Sequence, residues 1–110
     1  MEAFSTIIKN RDAKRRQFKG ISLDVLAVGE KSMVTRMNYK AGDVVPVHSH
    51  PHEQCGYVVA GRARLTCGGQ EDLLEPGDSY YIPGGVPHGL HALEDGHIID
   101  FFVPIREDYL

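Results

Sequence analysis

From Gly20 onward the chain alternates apolar and polar positions in short runs, each stopped by glycine, proline or a polar cluster. The clearest run is 32–39, where Met33, Thr35, Met37 and Tyr39 share one parity and Val34, Arg36 and Asn38 the other. That period of two marks a half-buried strand. The same pattern predicts strands at 22–28, 44–50, 54–60, 62–67, 71–74, 79–82, 89–93 and 98–103. Gly29-Glu30, Ala41-Gly42-Asp43, Pro83-Gly84-Gly85 and Glu94-Asp95-Gly96 break the chain, and Gly61 and Gly68-Gly69 read as hairpin turns. No helical periodicity follows Gly20. Short strands at regular spacing predict one all-β domain over 21–110, built from two packed sheets. Residues 1–20 are polar and weakly patterned, and read as an N-terminal basic arm or an edge strand.

Composition narrows the classes without adding detail. With 110 residues, 42% apolar and 25% charged, the chain is one globular domain, not a disordered or multidomain protein. No apolar run approaches the ~18 residues that span a bilayer. The first residues lack the apolar segment of a secretory leader. No membrane partner is expected, and the location expected is cytoplasmic. Cys55 and Cys67 have neither metal-type spacing nor the density of a secreted scaffold. On a tight hairpin turning at Gly61 the two thiols would face opposite sides, so both are expected to be reduced. Residues 1–19 hold six of the twelve basic side chains against Glu2 and Asp12, a net +4, which leaves −7 on the remainder. An arm of that charge is most simply a solvated face, and the acidic body disfavours nucleic acid.

Six histidines are an excess with more content. His48 and His50 stand two apart at a strand end, so both imidazoles point to one face. Gln54 opens the next strand with matching parity. His88, after Pro83-Gly84-Gly85-Val86-Pro87, is carried in from elsewhere. Three neutral nitrogens and one amide oxygen suit a divalent transition ion of the Zn, Ni, Mn, Fe or Co kind. His52, His91 and His97 are assigned no such role. Gly56, Val58 and Ala60 share Gln54's parity, and their small size either leaves room above an ion or merely suits packing.

The run Gly42 to Gly61, G-D-V-V-P-V-H-S-H-P-H-E-Q-C-G-Y-V-V-A-G, resembles the first motif of the cupin superfamily. The run Gly77 to Ala92, G-D-S-Y-Y-I-P-G-G-V-P-H-G-L-H-A, resembles the second. The resemblance implies the cupin double-stranded β-helix, a jelly-roll barrel of two antiparallel sheets. Two positions depart from the pattern: Ala92 stands where the second motif has Asn, and Gln54 where the first has Glu. A neutral Gln leaves the ion's charge uncompensated, which favours carboxylate-bearing ligands.

The C-terminal run Asp100-Phe101-Phe102-Val103-Pro104-Ile105-Arg106 holds an unusual carboxylate inside an apolar strand. Desolvation there would raise its pKa toward the range useful for proton transfer, and Arg106 has the geometry to clamp a carboxylate. The simpler alternative puts Asp100 in solvent at the rim and pairs Arg106 with Glu107 or Asp108. From about Leu26 to Leu110 the chain resembles small single-domain cupins of the KdgF (pectin-degradation protein) type. That resemblance implies metal ligands His48, His50, Gln54 and His88, with Asp100, Phe102 and Arg106 lining the pocket. It further implies ring opening of a 4,5-unsaturated uronate to the linear 5-keto acid, with Asp100 moving the proton and Arg106 holding the substrate carboxylate. A homodimer is implied by the way small cupins pair through a sheet. Two other readings stay open: a cupin oxygenase or other isomerase, and a non-catalytic sugar- or metal-binding module.

Overall fold

The computed structural model describes residues 6–110. After a single 3-10 turn at Asn10–Asp12 come ten strands: β1 Lys14–Phe18, β2 Ile21–Val28, β3 Met33–Tyr39, β4 Val44–His48, β5 Glu53–Ala60, β6 Ala63–Cys67, β7 Gln70–Leu74, β8 Ser79–Ile82, β9 His88–Ala92 and β10 Gly96–Val103. A second 3-10 turn, Glu107–Tyr109, ends the chain. Within the basic arm, Lys14–Phe18 pairs antiparallel with β2. The remaining strands fall close to where alternation places them. β3 buries every second residue from Met33 to Tyr39, and β5 buries Gln54, Gly56 and Val58 while Glu53, Cys55, Tyr57 and Val59 face outward.

Two antiparallel sheets form, ordered β1-β2-β3-β10-β5-β8 and β4-β9-β6-β7. The all-β expectation holds, but the closed jelly-roll barrel does not. Both sheets are open, and no backbone ladder joins one to the other among the described residues. The edges account for this. β4 carries Pro46, which has no N–H to offer a further strand, and its ladder with β9 breaks between Val45 and His48. β8 has only four residues and runs straight into Pro83.

Gly61 is a second correction. β5 and β6, expected to form a hairpin there, lie in different sheets, so Gly61 carries the chain from one layer to the other. Its φ is +82°, and a Cβ would meet the Asp95 carbonyl oxygen at 2.5 Å, so the crossing needs glycine twice over. The expected hairpin at Gly68-Gly69 does form, joining β6 to β7 with Cys67 opposite Gln70. Both cysteines are free thiols.

The core lies between the layers. Leu23, Val25, Met33, Met37, Val58, Ile82, Ile98 and Phe102 contribute from the larger sheet, and Val45, Ala63, Leu65, Leu74, Leu90 and Ala92 from the smaller. Each aliphatic side chain taken out of water contributes about 1.5–3 kcal/mol. Against that background, the buried polar residues on the inner faces are the ones that require an explanation.

Candidate functional site

His48, at the end of β4, is directly opposite His88, at the start of β9, and their ring centroids are 4.5 Å apart. His50 follows two residues after β4 and turns its ring to 4.7 Å from His88 and 5.7 Å from His48. One ligand nitrogen from each ring lies within 4.8 Å of the other two. The three rings share one mode of support. Nδ1 of His48 meets the Pro46 carbonyl at 2.9 Å, Nδ1 of His50 the His52 carbonyl at 3.0 Å, and Nδ1 of His88 the Val86 carbonyl at 2.9 Å. A carbonyl only accepts, so each Nδ1 is the donor and each Nε2 keeps its lone pair. Backbone carbonyls fixing imidazole tautomers in this way are the usual outer support of a metal site.

Gln54 joins the cluster from β5. Its Oε1 lies 3.1 Å from Nε2 of His50, and its amide nitrogen donates to Oδ1 of Asp100 at 3.0 Å. With Nδ1 of His50 already donating, two lone pairs face each other across that 3.1 Å. A proton on Nε2 would resolve the clash, but burial first, then the charges of Arg106 and His88, push the pKa of His50 down to about 4. Burial lowers His88 as well. The lowered values leave His50 and His88 as uncharged acceptors at neutral pH, and with His48 and Gln54 beside them this donor set fits a divalent cation.

Asp100, in the middle of β10, is 3% exposed, so the solvent-rim alternative is excluded. Burial pushes its carboxyl up to about 6, against the opposing pull of Tyr80, Gln54 and Arg106. Tyr80 donates to Oδ1 at 2.6 Å. Gly56 is what admits it: a Cβ there would run into the Tyr80 ring. The small residue at 56 therefore makes room for a tyrosine rather than for a ligand above the ion.

Arg106 is buried but committed. Its Nε and Nη2 donate to the two oxygens of Asp108 at 3.1 and 2.8 Å, as the simpler reading expected. The guanidinium also stacks 4.3 Å from the Tyr109 ring centroid, 5.3 Å from Phe102 and 5.7 Å from Phe18. A planar fork has two bidentate edges, and the one bearing Nη1 is not engaged with Asp108.

A narrow cavity of about 40 Å³ lies between the sheets, and His48, His88, Gln54, Asp100, Phe102 and Arg106 all line it. Of the seven residues singled out in the sequence, His50 is the one that is not among the lining. It packs against Phe102 at 5.9 Å between centroids. The lining residues that went unrecognised include Phe18, Thr35, Tyr80 and Tyr109. A glycine inside a strand signals close approach of another group, so Gly56 was the available clue to Tyr80. Of the three other histidines, His97 bonds Asn38 at 2.8 Å and His91 is exposed.

Comparison with known proteins agrees with this geometry. The pectin degradation protein KdgF of Dickeya dadantii is 31% identical over 93 residues, covering 83% of this chain and 84% of that one. The solved structure of KdgF from Halomonas sp. superposes with a TM-score of 0.89 at 32% identity, covering 97% of this chain and all of that one. An RmlC-like cupin of Shewanella frigidimarina gives 0.91 at 28% identity over the full length of both. Residues 35–103, which run from Thr35 through both histidine motifs to the end of β10, match the family described as Cupin domain. The chain belongs to the cupin family, with specific similarity to its KdgF-type pectin-degradation members.

Proposed function

We propose that this cupin is a metal-dependent enzyme that opens the ring of 4,5-unsaturated uronate monosaccharides, such as those released from pectin or alginate, to the linear 5-keto acid. The observation that carries the reading is one cavity lined by His48, His88 and Gln54 of the donor set, with His50 grouped beside them, together with a buried carboxylate and a buried guanidinium. Similarity to KdgF proteins supports the choice of substrate class.

A divalent ion held by His48, His50, His88 and Gln54 would supply Lewis-acid polarisation of substrate oxygens. In the proposed reaction Asp100, ionised at neutral pH, takes the proton of the C1 hydroxyl as the bond from C1 to the ring oxygen breaks. An aldehyde forms at C1 and the ring oxygen becomes an enolate at C5. Asp100 then returns the proton to C4 and the C5 ketone forms. No atom is gained or lost, so the reaction is an isomerisation that needs no oxidant. A carboxyl titrating near 6 suits both directions of transfer. Arg106 binds the substrate carboxylate through its Nη1 edge, and the Phe102 ring flanks the sugar.

Loss of the conjugated double bond's ultraviolet absorbance, followed with metal-loaded protein and unsaturated galacturonate or mannuronate, tests the reading. Acceleration over the spontaneous reaction is expected, and its absence with both sugars overturns the proposal. Two free thiols favour a reducing compartment, so the cytoplasm is the proposed location. Tyr57, Val59, Tyr81, Phe101 and Val103 are exposed on the outer face of the larger sheet, and a second copy of the chain is the proposed partner there. No nucleic acid partner is proposed, and no helix among the described residues is long and apolar enough to cross a membrane.

A further inference from the structure

Four residues form one cross-strand row on the inner face of the larger sheet. Thr35 of β3 is opposite Asp100 of β10, Asp100 is opposite Gly56 of β5, and Gly56 is opposite Tyr80 of β8. Tyr80 and Asp100 are therefore two strands apart, roughly 10 Å at the backbone. The phenol spans that gap because position 56 has no side chain. Its ring lies over the glycine and its hydroxyl reaches Oδ1 at 2.6 Å.

The carboxylate thus has two donors on one oxygen. Gln54 is one, but its other amide atom faces His50, so its orientation is tied to the histidine cluster. Tyr80 is the other; its ring is held in the row over Gly56, and its hydroxyl also meets the Gln54 side chain. Two donors on Oδ1 fix the plane of the carboxylate and leave Oδ2 as the oxygen free to exchange a proton.

We propose that Tyr80 is the positioning residue for Asp100, holding Oδ1 so that Oδ2 is presented to the substrate, and that Gly56 exists to let it reach. This rests on the ring-opening reading. It assigns Tyr80 no contact with the reacting atoms. The contribution belongs to the turnover step, because a misdirected carboxylate still leaves Arg106 and the histidine cluster to bind substrate.

Y80F keeps the ring and removes the hydroxyl, while G56A displaces the ring and keeps the hydroxyl. Both are compared with wild type in metal-loaded protein, reading kcat, KM, divalent-ion content and the carbon-13 carboxyl signal of Asp100. For Y80F, kcat is expected to fall ~10- to 100-fold with KM within about twofold. Ion content should not change, and the Asp100 signal should shift. G56A should show a comparable kcat loss, and the double variant should be no worse than the poorer single one, because both act on one contact. Wild-type kcat in Y80F, or a loss that falls on KM or ion content instead, overturns the proposal. An inert wild type overturns the ring-opening reading instead. The carboxyl signal then still decides the contact: an unchanged signal in Y80F removes Tyr80 as the residue that holds Asp100.

Discussion

Thr35 offers a test in which removing a polar group should stabilise the protein. Its side chain is 1% exposed, and its Oγ1 has no hydrogen-bond partner among the described residues. It lines the cavity beside Asp100, its cross-strand partner, and Val25 is opposite on the other side. A buried hydroxyl without a partner costs about 1–3 kcal/mol of desolvation. Thr35→Val keeps the branched shape, replaces the hydroxyl with a methyl and suits a strand at least as well. The expected result in substrate-free protein is a gain of about 1–2 kcal/mol, or a rise in Tm of ~4 °C or more for a domain of this size. Urea denaturation measures the midpoint, and an unchanged m-value confirms that the native state has kept its compactness. Natural cores retain such a group when function uses it, so the variant should also turn over unsaturated uronate more slowly than wild type. A clear loss of stability would refute the reasoning, because it would mean that the hydroxyl has a partner in the native protein. A stabilised variant with full activity would leave the energetics standing and remove Thr35 from the site.

Other perturbations probe separate parts of the molecule. Asp24 is 3% exposed on β2, and burial opposes its ionisation, but Asn38, Arg15 and Arg36 more than offset that and hold its carboxyl below the usual range. A lowered pKa means that its ionised form stabilises the fold above the unfolded value near ~4, and that this contribution is lost as pH falls through the folded value. Asp24→Asn should cost about 2 kcal/mol at pH 7, short of the ~3–5 for breaking a fully buried pair because Arg15 is half exposed; urea midpoints should show wild type and variant converging toward pH 3. Gly61→Ala should lose ~2 kcal/mol or more in the same assay, since the added Cβ meets backbone at a positive φ. His50→Ala should reduce bound divalent ion by at least ~10-fold in equilibrium dialysis, and full retention would remove His50 from the donor set. Arg106→Lys loses both the fork to Asp108 and the stacking on Tyr109; kcat/KM should fall ~10- to 100-fold, mostly through KM.

What the sequence made legible follows from how locally each feature is encoded. Parity placed Gln54 inward and Glu53 outward correctly, because the strand period is short and β5 obeys it from end to end. The pairing of His48 with His88 is non-local: the sequence groups their chemistry, and the motif resemblance supports that grouping, but neither gives the register that sets the two rings face to face. Gly61 misled because a glycine between two strand-like runs signals a hairpin equally well when the strands belong to different layers. The partners of the two strands distinguish the cases, β10 and β8 for β5 and β9 and β7 for β6, and those pairings are non-local. Closure into a barrel was likewise undetermined by alternation, which fixes the faces of a sheet but says nothing about its edges. Those depended on the break in the β4 ladder and on the shortness of β8.

Residues from both ends of the described chain meet at the cavity. Phe18 of the basic arm contacts His48 at 5.7 Å between ring centroids and Tyr109 of the last turn at the same distance, edge to face. Tyr109 in turn packs on Phe102 at 5.9 Å. Arg106 lies among these three rings with its Nε and Nη2 held by Asp108. A guanidinium needs neighbours that lower its desolvation cost without neutralising it, and aromatic faces do this through their quadrupole. The basic charges of the arm are spent elsewhere, with Arg15 reaching Asp24 at 2.7 Å and tying β1 to β2. That ion pair sits on the outer face of the sheet while Phe18, four residues from the start of the strand, turns inward to the cavity. The arm's charge fastens the strand, and the strand delivers one aromatic side chain to the site. Weakening the fastening by Asp24→Asn should therefore also raise KM for a uronate, although Asp24 lies on the opposite face of the sheet from the cavity. An Asp24→Asn protein with wild-type KM would separate the arm from the site and leave its ion pairs as stability alone.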